Sequence, residues 1–167
     1  MKRILLLILI LILTLTGCAV NSNPDLECVA DTISYEKNPK FYFDTDLPAE
    51  AVLTSVCDDG CCALFRYGEC EIYQEIIPAK DVESGFVAVT GQNMEQLAPL
   101  KVSSFPYDEY RFAWTAAGES GTYSCSGKIY FDGEYCYALT VRCPEALKKS
   151  YETVFLELFA EASLEAV

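Results

Sequence analysis

A basic start (Lys2, Arg3) and an apolar run from Ile4 to Leu15, broken only by Thr14, take the first seventeen residues out of any globular core. A short basic head, an apolar stretch of roughly 7–15 residues and a small residue before the cut describe an export signal that is removed on maturation. The run is shorter than the ~20 apolar residues needed to span a bilayer, which argues against an uncleaved anchor. The folding unit expected is therefore the 150 residues from Cys18 to Val167, enough for one domain with a real hydrophobic core. Export also places that unit where cysteines oxidise.

The residues at the cut, Leu15-Thr16-Gly17-Cys18, resemble the lipobox of bacterial lipoproteins. In that family the cysteine thiol receives a diacylglycerol and becomes the new N-terminus. The resemblance implies a signal peptide over 1–17, lipid attachment at Cys18 and a place on the extracytoplasmic face of the cell membrane. Two or three acyl chains on one cysteine suffice for stable anchoring. Residues 18–27, which begin Cys18-Ala19-Val20-Asn21-Ser22-Asn23-Pro24-Asp25, have no apolar face and read as a flexible tether. Ten such residues reach roughly 15–20 Å, so the domain expected over 28–167 stays close to its membrane.

The formal charge of −13 becomes −15 once Lys2 and Arg3 are removed. Such an excess repels phosphate backbones, so no nucleic-acid partner is expected. The acids are spread along the chain, as solubility of an exported domain requires. The chain has no histidine. That removes Ser-His and Cys-His nucleophile pairs, every histidine-containing zinc site and the side chain most used for acid–base work near neutral pH.

The pattern along the chain is mostly extended. Lys40–Asp46 reads as a short strand ended by Pro48. Ala51–Cys57 and Cys61–Tyr67 are β-prone and joined by Asp58-Asp59-Gly60, a hairpin signal in which glycine accepts the left-handed bulge position. Cys70–Ile77 is a third strand, stopped by Pro78. Asp81–Val89 and Asn93–Leu100 read as weak helices, the second with Asn93 and Gln96 spaced as a capping box. Tyr110, Phe112 and Trp114 alternate with Arg111, Ala113 and Thr115, the period of a strand with one buried face. Thr122–Phe131 and Glu134–Arg142 flank Asp132-Gly133, a two-residue hairpin signal that would set Phe131 opposite Glu134 and Cys125 opposite Thr140. Pro144 stands at the expected first turn of a helix whose apolar face is Leu147, Tyr151, Val154, Phe155, Leu158 and Phe159.

This order predicts an α+β fold, an antiparallel β-sheet with a C-terminal helix packed on it. Val89-Thr90-Gly91, Trp114, the Gly121–Asp132 strand, Tyr135-Cys136-Tyr137-Ala138-Leu139-Thr140-Val141 and the helix after Pro144 resemble small bacterial lipoproteins with a PsbP-like fold. The resemblance, over roughly Phe41 to Ser163, implies an α/β/α sandwich and an accessory, scaffolding or binding role. It carries over no catalytic residue.

Besides Cys18 there are eight cysteines, Cys28, Cys57, Cys61, Cys62, Cys70, Cys125, Cys136 and Cys143. An even number in an exported domain reads as disulfides, up to four among 105 connectivities. The turn at 58–60 sets Cys57 opposite Cys61. Adjacent Cys61 and Cys62 point to opposite faces of a strand and seek different partners, with Cys70 in reach of one. Cys125 lies near Cys143 or Cys136 by diagonal reach. The competing readings are a four-thiolate metal site or a redox pair in the Cys57–Cys70 segment, including a vicinal Cys61–Cys62 bridge.

Other constellations are weaker. Asp58-Asp59 lacks the oxygen count of a calcium loop, and no Gly-x-Ser-x-Gly or Ser-x-x-Lys occurs. Tyr107, Tyr110, Phe112 and Trp114 form either an aromatic groove or, at alternating spacing, a core face. The expectation is a membrane-anchored, extracytoplasmic, non-enzymatic protein. It needs no cofactor or metal, and its partners are the membrane, through Cys18, and a protein or small molecule. The alternative is a thiol-dependent metal-binding or redox-sensing lipoprotein.

Overall fold

The computed structural model describes residues 38–167 apart from positions 59 and 119. The expectations for the signal at 1–17, the lipid on Cys18, the tether over 18–27 and a bridge from Cys28 lie outside the described residues. The elements are β1 (Phe41–Asp44), β2 (Val52–Val56), β3 (Cys62–Tyr67), β4 (Cys70–Pro78), α1 (Val82–Thr90), α2 (Met94–Leu97) and β5 (Leu100–Ser103). They continue with β6 (Asp108–Gly118), β7 (Gly121–Phe131), β8 (Tyr135–Pro144), a 3-10 turn (Glu145–Leu147), α3 (Lys148–Glu161) and β9 (Ser163–Ala166).

Seven strands form one sheet in the order β2-β3-β4-β8-β7-β6-β5, and β1 pairs with β9 in a separate ribbon. Every pairing is antiparallel. Two meanders, β2-β3-β4 and β5-β6-β7-β8, meet where β4 pairs with β8. β8 is buried along nearly its whole length because both of its faces are covered. On one face Cys70, Ile72, Leu139, Val141 and Cys143 pack against Phe155 and Leu158 of α3. On the other Phe112, Ile129 and Ala138 pack against Phe86 of α1 and Leu97 of α2. The β1–β9 ribbon brings Phe41, Phe43 and Leu164 against Ile76, Tyr130 and Tyr137. The result is the expected α+β architecture, helices on both faces of an antiparallel sheet.

Local chemistry explains the helix ends. The Asp81 carboxylate accepts from Ser84 N at 2.8 Å, and Asn93 and Gln96 make the expected reciprocal capping box at 2.9 and 3.0 Å. Gly91, at φ +72°, closes α1 with its N–H on Val87 O. Gly85 is buried where α1 crosses β8, and a Cβ there would run into the Cys136 side chain. The missing side chain is what lets the helix lie this close.

Four expectations need correction. The β7–β8 turn is centred one residue later, on Gly133 and Glu134. The Asp132 carboxylate accepts from the backbone N of Glu134 and of Tyr135 at 2.9 and 2.8 Å, while Asp132 N donates to Tyr135 O. Phe131 therefore faces Cys136, and Cys125 faces Arg142 rather than Thr140. Moving a turn by one residue shifts every partner by two, so each side chain keeps its face. In the first hairpin Cys57 N donates to Cys62 O and Gly60, at φ +70°, donates to Cys57 O. The connection spans 58–61, and Cys62 rather than Cys61 stands opposite Cys57.

Pro144 ends β8 instead of opening a helix, because the ladder pairs it with Tyr123 and holds it extended. The helix begins at Lys148. Finally, α2 stops at Leu97 because Ala98 turns left-handed, at φ +45°, and caps Met94 O. Leu100, expected in that helix, pairs with Arg111 as an edge strand. β9 adds a strand that the periodicity did not indicate. Among the described residues no helix is long and apolar enough to cross a membrane.

Candidate binding groove and cysteine sites

Even-numbered residues of β7 face α3, and odd-numbered ones face α1. Ser124, Ser126 and Lys128 therefore project to the α3 side, opposite Cys143, Val141 and Leu139 of β8. α3 packs on side chains of β4 and β8 and reaches β7 at its C-terminal end, leaving an opening alongside it over parts of β6 and β7. The opening is a groove of about 280 Å³. Its floor carries Ser124, Ser126 and Val141, and its α3 wall carries Phe155, Leu156 and Phe159. Three cations line it as well, Arg111 from β6, Lys128 from β7 and Lys148 at the start of α3, with one carboxylate, Glu152. In so acidic a chain this is a local reversal of sign.

Lys128 is 3% exposed, and its ammonium is held by named partners. Nζ donates to Phe159 O at 2.8 Å and Ala162 O at 2.9 Å, carbonyls at the C-terminal end of α3 where the helix dipole favours a cation. The Glu109 carboxylate lies 3.5 Å away. Burial lowers the Lys128 pKa, and Glu109 opposes that change. Tyr130 donates to the same Ala162 O at 2.6 Å. Lys128 thus locks α3 onto the sheet, while Arg111, shared with Glu109 at 3.3 Å, and exposed Lys148 remain at the rim. Leu156 adds an apolar lip, 64% exposed. Sequence reading missed this groove. Its signal was the polar alternation Ser124-x-Ser126-x-Lys128 inside a strand otherwise read as core.

The described cysteines fall into three groups, set by strand position. Cys57 and Cys62 are disulfide-bonded with Cα atoms 5.3 Å apart, which replaces both the Cys57–Cys61 pairing and a vicinal Cys61–Cys62 bridge. Cys61, half-buried, sits in the turn and gives its carbonyl to Ile76 N. Cys70 starts β4 while Glu75, five residues on, is what faces Cys62. At about 3.4 Å per residue that separates Cys70 from the disulfide by roughly 17 Å, so the Cys57–Cys70 segment does not assemble a four-thiolate site. Among the described residues no three Cys, Asp or Glu side chains converge on a metal position. Cys70 meets Cys143 instead, Sγ to Sγ at 2.7 Å.

Cys125 and Cys136 lie on the α1 face, near opposite ends of the β7–β8 ladder, facing Arg142 and Phe131. The expected diagonal contacts of Cys125 do not form, since Cys143 projects to the other face and Cys136 is far along the strand. Burial raises the Cys125 thiol to about 11 and the Cys136 thiol to about 12. Both therefore stay protonated and unreactive near neutral pH.

Tyr110 and Phe112 are core, as the alternation indicated, each edge-on to Phe86 at 5.7 and 4.9 Å. Trp114 stacks on Phe112 at 5.4 Å. Tyr107 is not part of that group and packs on Tyr130 and Phe41 instead. On the same face as Cys125, Tyr73 donates to Glu71 at 2.8 Å and Arg142 lies over the Tyr123 ring at 4.0 Å. Burial and the Glu71 carboxylate raise Tyr73 to about 12, so its phenol is no base at neutral pH.

This arrangement, an antiparallel sheet flanked by helices with the C-terminal helix packed on it, is PsbP-like. Solved structures share it. LpqN of Mycobacterium tuberculosis, described as involved in cell envelope biogenesis, superposes with a TM-score of 0.53 at 7% identity, over 78% of this chain and 87% of LpqN. Cyanobacterial PsbP (CyanoP) from Synechocystis sp. PCC 6803 superposes with a TM-score of 0.52 at 9% identity, over 81% of this chain and 99% of CyanoP. At these identities the likeness is one of fold. No family model and no curated protein sequence matches the chain.

Proposed function

We propose that this chain is a lipoprotein, held by acyl chains on Cys18 at the extracytoplasmic face of the cell membrane, with a non-enzymatic binding or accessory role in the envelope. The observation that carries the reading is Leu15-Thr16-Gly17-Cys18 at the end of an apolar run too short to span a bilayer. The fold shared with LpqN, a protein described as involved in cell envelope biogenesis, is consistent with it. The binding element is the groove beside α3. An apolar wall of Phe155, Leu156 and Phe159 with Arg111 and Lys148 at the rim suits an amphiphile with an anionic head. The buried thiols of Cys125 and Cys136, held protonated, add no nucleophile.

Two measurements test the reading. Cys18→Ala abolishes incorporation of labelled fatty acid and releases the protein from sedimented membranes. Full sedimentation with label retained overturns the anchor. For the groove, 1-anilinonaphthalene-8-sulfonate is an anionic, aromatic probe whose fluorescence rises on binding. Arg111→Glu with Lys148→Glu weakens its binding by about tenfold, the effect of ~1.4 kcal/mol. Unchanged binding removes the groove from the proposal.

A further inference from the structure

We infer that Cys70 and Cys143 close a second disulfide, one that cross-links the two central strands β4 and β8 beneath α3. The register leads there first. Glu71 faces Arg142, so the next pair outward is Cys70 and Cys143, directly opposed on neighbouring antiparallel strands. Both side chains project to the α3 face and sit in one core cluster with Ile72, Val141 and Phe155. Their sulfurs are 2.7 Å apart, against about 2.05 Å for a disulfide. Closing the bond requires less than 1 Å of movement and no change of register, strand order or helix position.

The remaining cysteines sharpen the assignment. Cys57 and Cys62 already hold each other, and Cys61 sits in their turn opposite Ile76, six residues along β4 from Cys70. Cys125 and Cys136 face Arg142 and Phe131 on the opposite side of the sheet, so neither competes for Cys70 or Cys143. Among the described residues, no other pair of cysteines outside the first hairpin shares a face, an adjacent strand and a register position.

The chemistry balances with an oxidant of the disulfide class. A thiolate of the pair attacks the oxidant's disulfide and expels one thiolate. The second cysteine then attacks the mixed disulfide, forms the Sγ–Sγ bond and expels the other thiolate. Two thiols lose two protons and two electrons, and the oxidant's disulfide is reduced to two thiols. Cys70 is fully buried and Cys143 is 3% exposed, so the exchange belongs to folding, before α3 closes over the strands. In the finished fold the same burial shields the bond from soluble reductants. The cross-link joins residues 73 apart in sequence, whereas the Cys57–Cys62 bond spans only 5. It also fixes the strand end that forms the floor of the groove, since Cys143 lines it.

The test is a peptide map of the full-length protein, isolated from membranes and alkylated under denaturing conditions without reductant. A parallel sample is refolded from the reduced state in a mixture of oxidised and reduced glutathione. The expected result in both is a peptide pair joined through Cys70 and Cys143, about 2 Da lighter than the sum of its reduced parts, with Cys125 and Cys136 alkylated. Cell-derived protein that is reduced throughout, together with a 70–143 link in the refolded sample, supports the pairing and overturns export instead. Alkylation of Cys70 and Cys143 in the refolded sample while Cys57–Cys62 is bonded overturns the inference, as does a link from either residue to Cys125. In Cys70→Ser, Cys143 becomes the one additional alkylated site and the thermal midpoint falls.

Discussion

Gly85→Ala decides whether the close crossing of α1 over β8 is a packing requirement. On an exposed helix this change stabilises by up to about 1 kcal/mol, because alanine loses less backbone entropy. Here the new Cβ meets the Cys136 side chain, and the Cys136 Cβ itself lies only 2.9 Å away. The fully buried thiol has little room to rotate away from the first contact, and the second cannot be relieved at all, since that Cβ is fixed to a fully buried strand. The helix must lift, loosening Phe86, which is also fully buried against Tyr110 and Phe112. Overpacking of this kind costs about 1–3 kcal/mol, so the net expectation is a loss of about 1–2 kcal/mol. The assay is urea unfolding followed by Trp114, the only tryptophan in the chain, which packs in the same cluster as α1. Adding Cys136→Ala removes the sulfur and leaves the Cβ, so the double variant recovers part of the loss, a favourable interaction energy of about 1 kcal/mol. A Gly85→Ala protein more stable than the parent, or strictly additive variants, refutes the reasoning.

Lys128→Met keeps the length of the side chain and removes the ammonium that serves Phe159 O and Ala162 O. Tyr130 still serves Ala162 O, so one α3 carbonyl loses its partner, and the expected loss is about 2–3 kcal/mol in urea unfolding. Amide exchange in α3 then quickens more than in α1, and uniform quickening would contradict the locking role. Asp81 supplies a pH dependence. Its carboxyl is held below its ordinary 3.8 mainly by the backbone hydrogen bond from Ser84. A folded value below the unfolded one means the contribution is complete above 3.8 and is lost as pH falls through the folded value. Asp81→Asn flattens that acid limb and leaves stability at pH 7 nearly unchanged, and an unaltered limb in a urea series counts against the cap.

The local elements were legible because their causes are local. Asn93 and Gln96 contain both halves of a capping box, Gly60 and Gly91 supply the left-handed conformations their turns require, and Tyr110-x-Phe112 displays the pleat of a half-buried strand. From such signals follow the α+β class and most strands of the sheet. What only the tertiary structure decided depends on which distant segments meet. The Asp132 carboxylate chose its turn by binding the backbone of Glu134 and Tyr135, and that choice reset every partner of β7 and β8 by two. Pro144 was kept extended by a strand it pairs with, against its own preference for a helix start. The ribbon of β1 with β9, the lysine under the end of α3, the groove beside it and the meeting of Cys70 with Cys143 all join residues far apart in sequence. Side-chain periodicity tells which face a residue occupies, because the pleat is a local repeat. Its neighbour on that face is set by strand order, which is the outcome of burying the whole core at once.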